Sequence, residues 1–195
     1  GTMPAVLDVL AEYRVRYPAV DVEVRLADRL VDLVAEGVDI GLRAHGTRTV
    51  PADAALMALN LGTFDAALYA SPGYLARCDS PPTVPAEVSR HPFIGHSAVL
   101  GRTITLASVD GRTSDLEVGR SSVVGNSMIL VAGVVARGAG IGLLPRFLGH
   151  SAGHAGELVR ILPDWSVRAG GFTMLWPASR HLAPRVRAFV ELARE

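Results

Sequence analysis

The side chains that could hold a small molecule gather where an extended run hands over to a helix. Asn126-Ser127 follows Ser122-Val123-Val124 and precedes a helical run from about Met128 to Arg137. A helix start offers free backbone N–H groups, and with a hydroxyl beside them the pair suits a carboxylate or another small anion. The same residues also make an ordinary helix N-cap worth ~1 kcal/mol, and spacing alone leaves both readings open. Ala27-Asp28 is the equivalent junction after an earlier strand, where Asp28 disfavours an anion unless Arg29 or Arg43 offsets it. Arg43-Ala44-His45 follows a strand ending at Leu42. Imidazole is the side chain whose charge changes nearest neutrality, so His45 suits ligand binding or pH sensing; the plainer reading is an exposed loop histidine. His96 ends another strand in the same way, and Thr63 and Phe64 open the crossover to the middle of the chain.

Other chemistries fail on spacing or context. Gly138-x-Gly140-x-Gly142 follows a helix and precedes a strand, the reverse of a dinucleotide loop, so close helix-to-strand packing explains it better. His150 and His154 have metal-ligand spacing only on a helix, and Gly149, Gly153 and Gly156 argue for a loose loop instead. Cys78 sits between Arg77 and Asp79 with no base assigned to it, which reads as an inert thiol. Ser71 lacks the glycines of a nucleophile elbow. No metal, no cofactor and no catalytic set is expected.

The elements that position these residues follow from periodicity. Met3, Val6, Leu7, Leu10, Tyr13 and Tyr17 recur at helical spacing, and Pro18 ends the helix. Val20 to Leu26 alternates as a strand, Asp28 caps a short helix ending at Gly37, and Val38 to Arg43 is the next strand. Helix, strand, helix, strand predicts a parallel sheet with crossover helices. Such a lobe ordinarily opens on a strand, so a first strand is expected upstream of this sequence. Phe64 to Tyr69 is a strand, and Ser71-Pro72 starts a helix through Tyr74 and Leu75. Phe93 to His96 is a strand, and Asp110-Gly111 turns a hairpin between Thr103–Leu106 and Leu116–Val118. Ile141 to Leu144, Leu158 to Leu162 and Phe172 to Trp176 are further strands. Pro184 to Glu195 is a helix with Val186, Phe189 and Val190 inward.

Composition narrows the function. Across 195 residues, hydrophobic side chains make up 49% and charged ones 19%, the balance of a chain that folds rather than of a disordered tail. Nineteen Lys and Arg against nineteen Asp and Glu leave no basic excess to neutralise phosphates, which argues against DNA binding by this segment alone. The longest apolar run, Ile129 to Ala136, stops at Arg137, far short of the ~20 residues of a membrane span. One cysteine permits a reducing compartment. The run Met128 to Arg137 is apolar on nearly every face, so it is either wholly internal or part of a subunit contact.

Several ordered motifs resemble one family. Tyr17-Pro18, Val38 to Arg43, Tyr69-Ala70-Ser71-Pro72-Gly73-Tyr74-Leu75, Asn126-Ser127, Gly138 to Pro145, Leu158 to Trp165, and Pro177 to Phe189 with Arg180, Leu182, Pro184 and Val186 together resemble the effector-binding domain of LysR-type transcriptional regulators. The resemblance covers nearly the whole chain and implies an α/β fold of the periplasmic-binding-protein-like type 2 kind. That fold has two Rossmann-like lobes, two crossovers and a small anionic metabolite in the cleft. The lobes would be 1–64 with 168–195, and 65–167. The first strand and its Ser/Thr-bearing loop have no counterpart here, which leaves the pocket incomplete. The family's winged helix-turn-helix and linker helix are also missing, so DNA would be met only through that absent part. The resemblance raises the ligand reading of Asn126-Ser127. It further implies a cytoplasmic, bacterial, non-enzymatic protein with no membrane partner. The expected assembly is a homodimer, Met3 to Tyr17 against Met128 to Arg137, with a tetramer for the full-length regulator as the larger alternative. A solute-binding protein for transport, or a small enzyme on this scaffold, are the competing classes.

Overall fold

Helix α1 (Thr2–Arg16) carries Arg14 and Arg16 in its last turn, where cations suit the helix dipole. Its buried Tyr13 ties it to helix α5 (Pro184–Leu192) 172 residues away: the phenol donates to the Arg185 carbonyl at 2.8 Å, and the ring meets Phe189 edge-on at 5.1 Å. Both helices pack on Met174 and Trp176 of a long strand, β9 (Trp165–Pro177), with Val186, Val190 and Leu192 completing the cluster. These coordinates, a computed structural model, describe residues 2–27, 29–46, 55–118, 121–154, 156–178 and 182–194. The chain divides into two compact units, Gly1–Phe64 with Gly170–Glu195, and Asp65–Ala169. It passes from the first to the second within strand β2 (Leu56–Ala70) and returns within β9.

In the first unit, strand β1 (Gly41–His45) runs antiparallel to β9, with Gly41 opposite Leu175 and His45 opposite Gly171. Three expectations fail here. Val20 to Leu26 is not a strand: residues 21–27 are exposed and irregular, Val24 and Leu26 by 62% and 86%. Alternation of apolar side chains makes a strand only where a neighbour supplies the ladder, and none among the described residues lies there. The helix expected after residue 28 is a single turn. Asp32, not Asp28, accepts from the amides of Val34 and Ala35, at 3.1 and 3.0 Å. Gly37 does close the turn, left-handed at φ 63, with Gly37 N–H on Val34 O and Val38 N–H on Leu33 O, the paired bonds of a helix C-cap. Asp28 itself lies outside the described residues, as does Arg180. Finally, where this order predicts a parallel sheet, β1 pairs antiparallel with β9, and no parallel pair is seen among the described residues of this unit.

Parallel pairing belongs to the second unit. Strand β3 (Phe93–His96) lies between β6 (Val123–Gly125) and β7 (Ile141–Pro145), parallel to both. Helix α3 (Met128–Ala136) makes the crossover from β6 to β7. All five residues of β7 are buried, as a strand covered on both faces requires. The end of β2 pairs antiparallel with β7, and β8 (Val159–Arg160) pairs with the same end. Strands β4 (Arg102–Ser108) and β5 (Thr113–Val118) form the expected hairpin, and β4 also meets the start of β9. Helix α2 (Pro72–Ala76) begins as expected, with Ser71 accepting from the Tyr74 amide at 3.1 Å and Pro72 in its first turn.

The glycine run answers packing, not nucleotide binding. Gly138 ends α3 at φ 84, and a Cβ on Gly142 would stand 2.7 Å from Val135 of that helix. A helix does open after Pro145, α4 (Arg146–His154), but it runs on through His154 where a loose loop was expected from Gly149. Its Gly149 costs helix propensity but lets the helix lie on Tyr69, whose ring any Cβ there would overlap. His150 and His154 thus do share a helix, although the His154 side chain lies outside the described residues. No group of three or more His, Cys, Asp or Glu side chains among the described residues could hold a metal.

Candidate functional site

Because β3 and β6 are parallel neighbours, their C-terminal ends open on the same edge of the sheet, and α3 starts there. Three sequence-predicted residues meet at this edge. His96, the last residue of β3, uses both ring nitrogens: Nδ1 accepts from the Ala98 amide at 3.0 Å, which leaves Nε2–H to donate to the Asn126 carbonyl at 2.8 Å. Ser97 adds a backbone bond to Gly125 O at 2.8 Å. His96 therefore fastens the end of β3 to the turn that leads into α3. Asn126 is exposed and Ser127 half-buried at the helix N-cap.

The cap differs from its expected form. Ser127 holds extended backbone (φ −116, ψ 127), and its carbonyl takes the first helical bond, from Val131 at 3.0 Å, but its hydroxyl makes no capping bond. Ser71, at the same position on α2, does cap. The first amides of any α-helix have no intrahelical acceptor, so those of α3 face outward without the serine that ordinarily covers them. Local positive potential from the helix dipole adds to their preference for an anion. No acidic side chain stands in this first turn to compete. Gly125 is the residue sequence reasoning missed: a Cβ there would stand 2.6 Å from Leu130 Cδ2, so glycine lets the helix begin this close to the strand without displacing that side chain's end. The signal was a glycine just before an N-cap.

The first unit gathers a second group. His45 Nδ1 is 2.8 Å from the Gly46 carbonyl and Nε2 is 3.0 Å from Thr173 Oγ1, a buried hydroxyl on β9. Gly170 and Gly171 make this possible, since a Cβ on Gly170 would overlap the His45 carbonyl and one on Gly171 would stand 3.0 Å from His45 Cε1. Thr173, Gly170 and Gly171 were not singled out by sequence, because their partner lies 128 residues away for Thr173. Arg43 is half-buried two residues earlier on β1. Thr63 is exposed and Phe64 half-buried at the point where β2 leaves the unit, Phe64 stacking obliquely on Phe172 at 5.0 Å. Ala27 is exposed with no strand before it, and Arg29 is clamped by Glu36 at 2.8 and 2.9 Å, so the junction expected at Ala27-Asp28 does not form as a strand end.

The family profile described as LysR substrate binding domain matches residues 4–195. The HTH-type transcriptional regulator PtxR of Pseudomonas aeruginosa is 35% identical over 188 residues, covering 96% of this chain and 58% of the regulator. The iron-regulated virulence regulatory protein IrgB of Vibrio cholerae is 31% identical over 137 residues, 69% of this chain and 45% of that protein. The chain thus spans 58% of the one regulator's length and 45% of the other's. Among solved structures, the regulatory domain of AphB from Vibrio vulnificus superposes with a TM-score of 0.71 at 26% identity, covering 99% of this chain and 91% of that one. The regulatory domain of CrgA from Neisseria meningitidis, at 24% identity, reaches 0.78 over 98% and 93%. The fold is therefore that of these regulatory domains, mixed α/β and periplasmic-binding-protein-like.

Proposed function

This chain belongs to the LysR substrate-binding-domain family, the effector-binding part of LysR-type transcriptional regulators, and from that premise we propose that a small anionic metabolite docks at the start of α3. One observation carries the reading: Ser127 occupies the N-cap without capping, beside an Asn126 side chain that is exposed. Uncovered amides accept a carboxylate without first breaking an internal bond. His96 acts as a positioning residue, since both of its nitrogens already hold the junction. Arg43 and His45 form a separate candidate contact in the first unit, with Thr173 as an added member.

A ligand shifts a regulator only if it binds one arrangement of the protein better than another. The metabolite would bias the domain's conformations, and the DNA-binding part of the longer regulator would read that bias. The even charge balance of this segment supports leaving DNA to that other part. The work proposed is sensing and not turnover, in the cytoplasm where DNA lies. Relatives named HTH-type regulators lend the transport reading no support. Among the described residues no helix is long and apolar enough to cross a membrane.

The test is a panel of small carboxylates screened by thermal shift, followed by titration of any hit into Asn126→Ala/Ser127→Ala. The expected result is an unchanged thermal midpoint without ligand and a Kd raised about tenfold, the loss of ~1.4 kcal/mol of contact. An unchanged Kd removes the α3 junction from the site. A Kd raised only by His45→Ala moves the site to the first unit.

A further inference from the structure

Helix α1 has the make-up of a crossover with a partner at only one end. Through residues 17–19 it leads into Val20–Leu26, and a helix-bearing connection of about a dozen residues or more is what joins two parallel strands. The receiving segment keeps a strand's alternation in Val20, Val22, Val24 and Leu26. Yet Val24 and Leu26 stand in solvent, and residues 21–26 form no ladder among the described residues. A second open place is β1. One of its edges pairs with β9, the other has no partner among the described residues, and its Leu42 is exposed. Both segments leave the same apolar cluster, since Val20 and Ile40 pack on the group that holds Tyr13 and Trp176. Beside it an apolar recess of about 70 Å³ opens between α1 and the sheet, lined by Val6, Val9, Leu42, Leu61, Met174 and Phe189. None of these side chains can hold a water, so what fits the recess is another aliphatic side chain.

We propose that the free edge of β1 and Val20–Leu26 form a docking slot for one further strand, supplied by the stretch of the longer regulator that runs directly into α1. A strand laid there ladders with both flanks at once, and an apolar side chain on its inward face fills the recess. A second copy of this chain answers less of the slot: β1 against β1 across a two-fold axis satisfies one edge and leaves Val20–Leu26 bare. Solved regulatory domains hold material of the required size. This chain, matched over 99% and 98% of its length, accounts for 91% of the AphB domain and 93% of the CrgA domain. Each of them therefore carries a further stretch outside the match, long enough for a strand and its connection. Flanked on two sides and covered by α1, the added strand is expected to read as a short apolar, β-branched run.

Amide hydrogen exchange tests this on two chains: the 195 residues alone, and the same residues preceded by about 15 more from their own gene, enough for one strand and its connection. In the shorter chain residues 21–26 are expected to exchange at unprotected rates. In the longer one, protection of these amides and of the outward-facing amides of β1 is expected to rise about a hundredfold. Val24→Pro removes one ladder donor, so it is expected to lower the urea midpoint of the longer chain and leave that of the shorter one unchanged. The upstream stretch added as a synthetic peptide protects the same amides of the shorter chain, which tests the slot even if the longer chain does not fold. Equal exchange at residues 21–26 in both chains, with no protection by the peptide, overturns the proposal. Protection that rises in the shorter chain with its own concentration overturns the occupant, since a second copy then fills the edge. Equal loss from Val24→Pro in both chains overturns it too, because Val24 is then already laddered without the added strand.

Discussion

Asp110 and Gly149 illustrate how single residues set local stability by unlike means. Asp110 sits at the tip of the β4–β5 hairpin with Oδ2 accepting from Arg112 Nε at 2.7 Å, and that bond, the main cause, lowers its pKa to about 2. A folded value below the unfolded ~3.9 means that the hairpin's charge pairing is in place above about pH 4 and is lost as pH falls through about 2. The carboxyl carbon of Asp110, followed by NMR, is expected to titrate near that low value in the wild-type chain and clearly higher in Arg112→Gln, where the backbone amide of residue 112 still favours the carboxylate. At Gly149 the constraint is steric. Replacing it with alanine sets a methyl into the buried Tyr69 ring, and a chemical melt is expected to show a loss on the order of 1–3 kcal/mol despite alanine's better helix propensity. This residue also marks where sequence reading stops. Three glycines in eight residues argue for a loop on propensity, and the ring 80 residues earlier explains why the first of them, Gly149, stands in a helix instead.

Among elements, those whose signals are local were legible. Ser71-Pro72 starts α2, Asp110-Gly111 turns the hairpin, and Asn126-Ser127 precedes α3, because caps and turns are chemistry between residues two to four apart. Val20 to Leu26 fails because a strand is made by its neighbour, which alternation cannot supply. The candidate site divides on the same line. The edge where His96 meets Asn126 was foreseeable as two strand ends, yet their adjacency depends on β3 and β6 being parallel. The α1–α5 contact likewise depends on distant partners and gives a direct test. Tyr13→Phe keeps the edge-on stacking with Phe189 and deletes only the bond to Arg185 O, so a loss of about 1 kcal/mol in urea unfolding is expected.

At the scale of the molecule, α3 is not the wholly internal helix that its composition allowed. Val131 and Val135 are buried, while Ile129 is 69% exposed and Leu130 49%. On α1, Leu7 is 61% exposed. Apolar side chains uncovered on one helix of each unit support the proposed homodimer of α1 against α3. Ile129→Asp is expected to give the mass of a monomer in light scattering at micromolar concentration. Its thermal midpoint extrapolated to low concentration should stay close to wild type, since the side chain is 69% exposed. A wild-type mass already monomeric there counts against the assembly.

The bond from Tyr13 to Arg185 has a consequence for how the protein is made. The second unit is one uninterrupted stretch, whole once residue 169 has left the ribosome, whereas the first is split around it. At roughly 5–20 residues per second, the 172 residues separating Tyr13 from its acceptor take about 10–35 seconds to synthesise. For that interval the apolar face of α1 waits without α5, and the later-born second unit is completed in sequence before α5 is made. Newly made chains should therefore meet chaperones through their first helix.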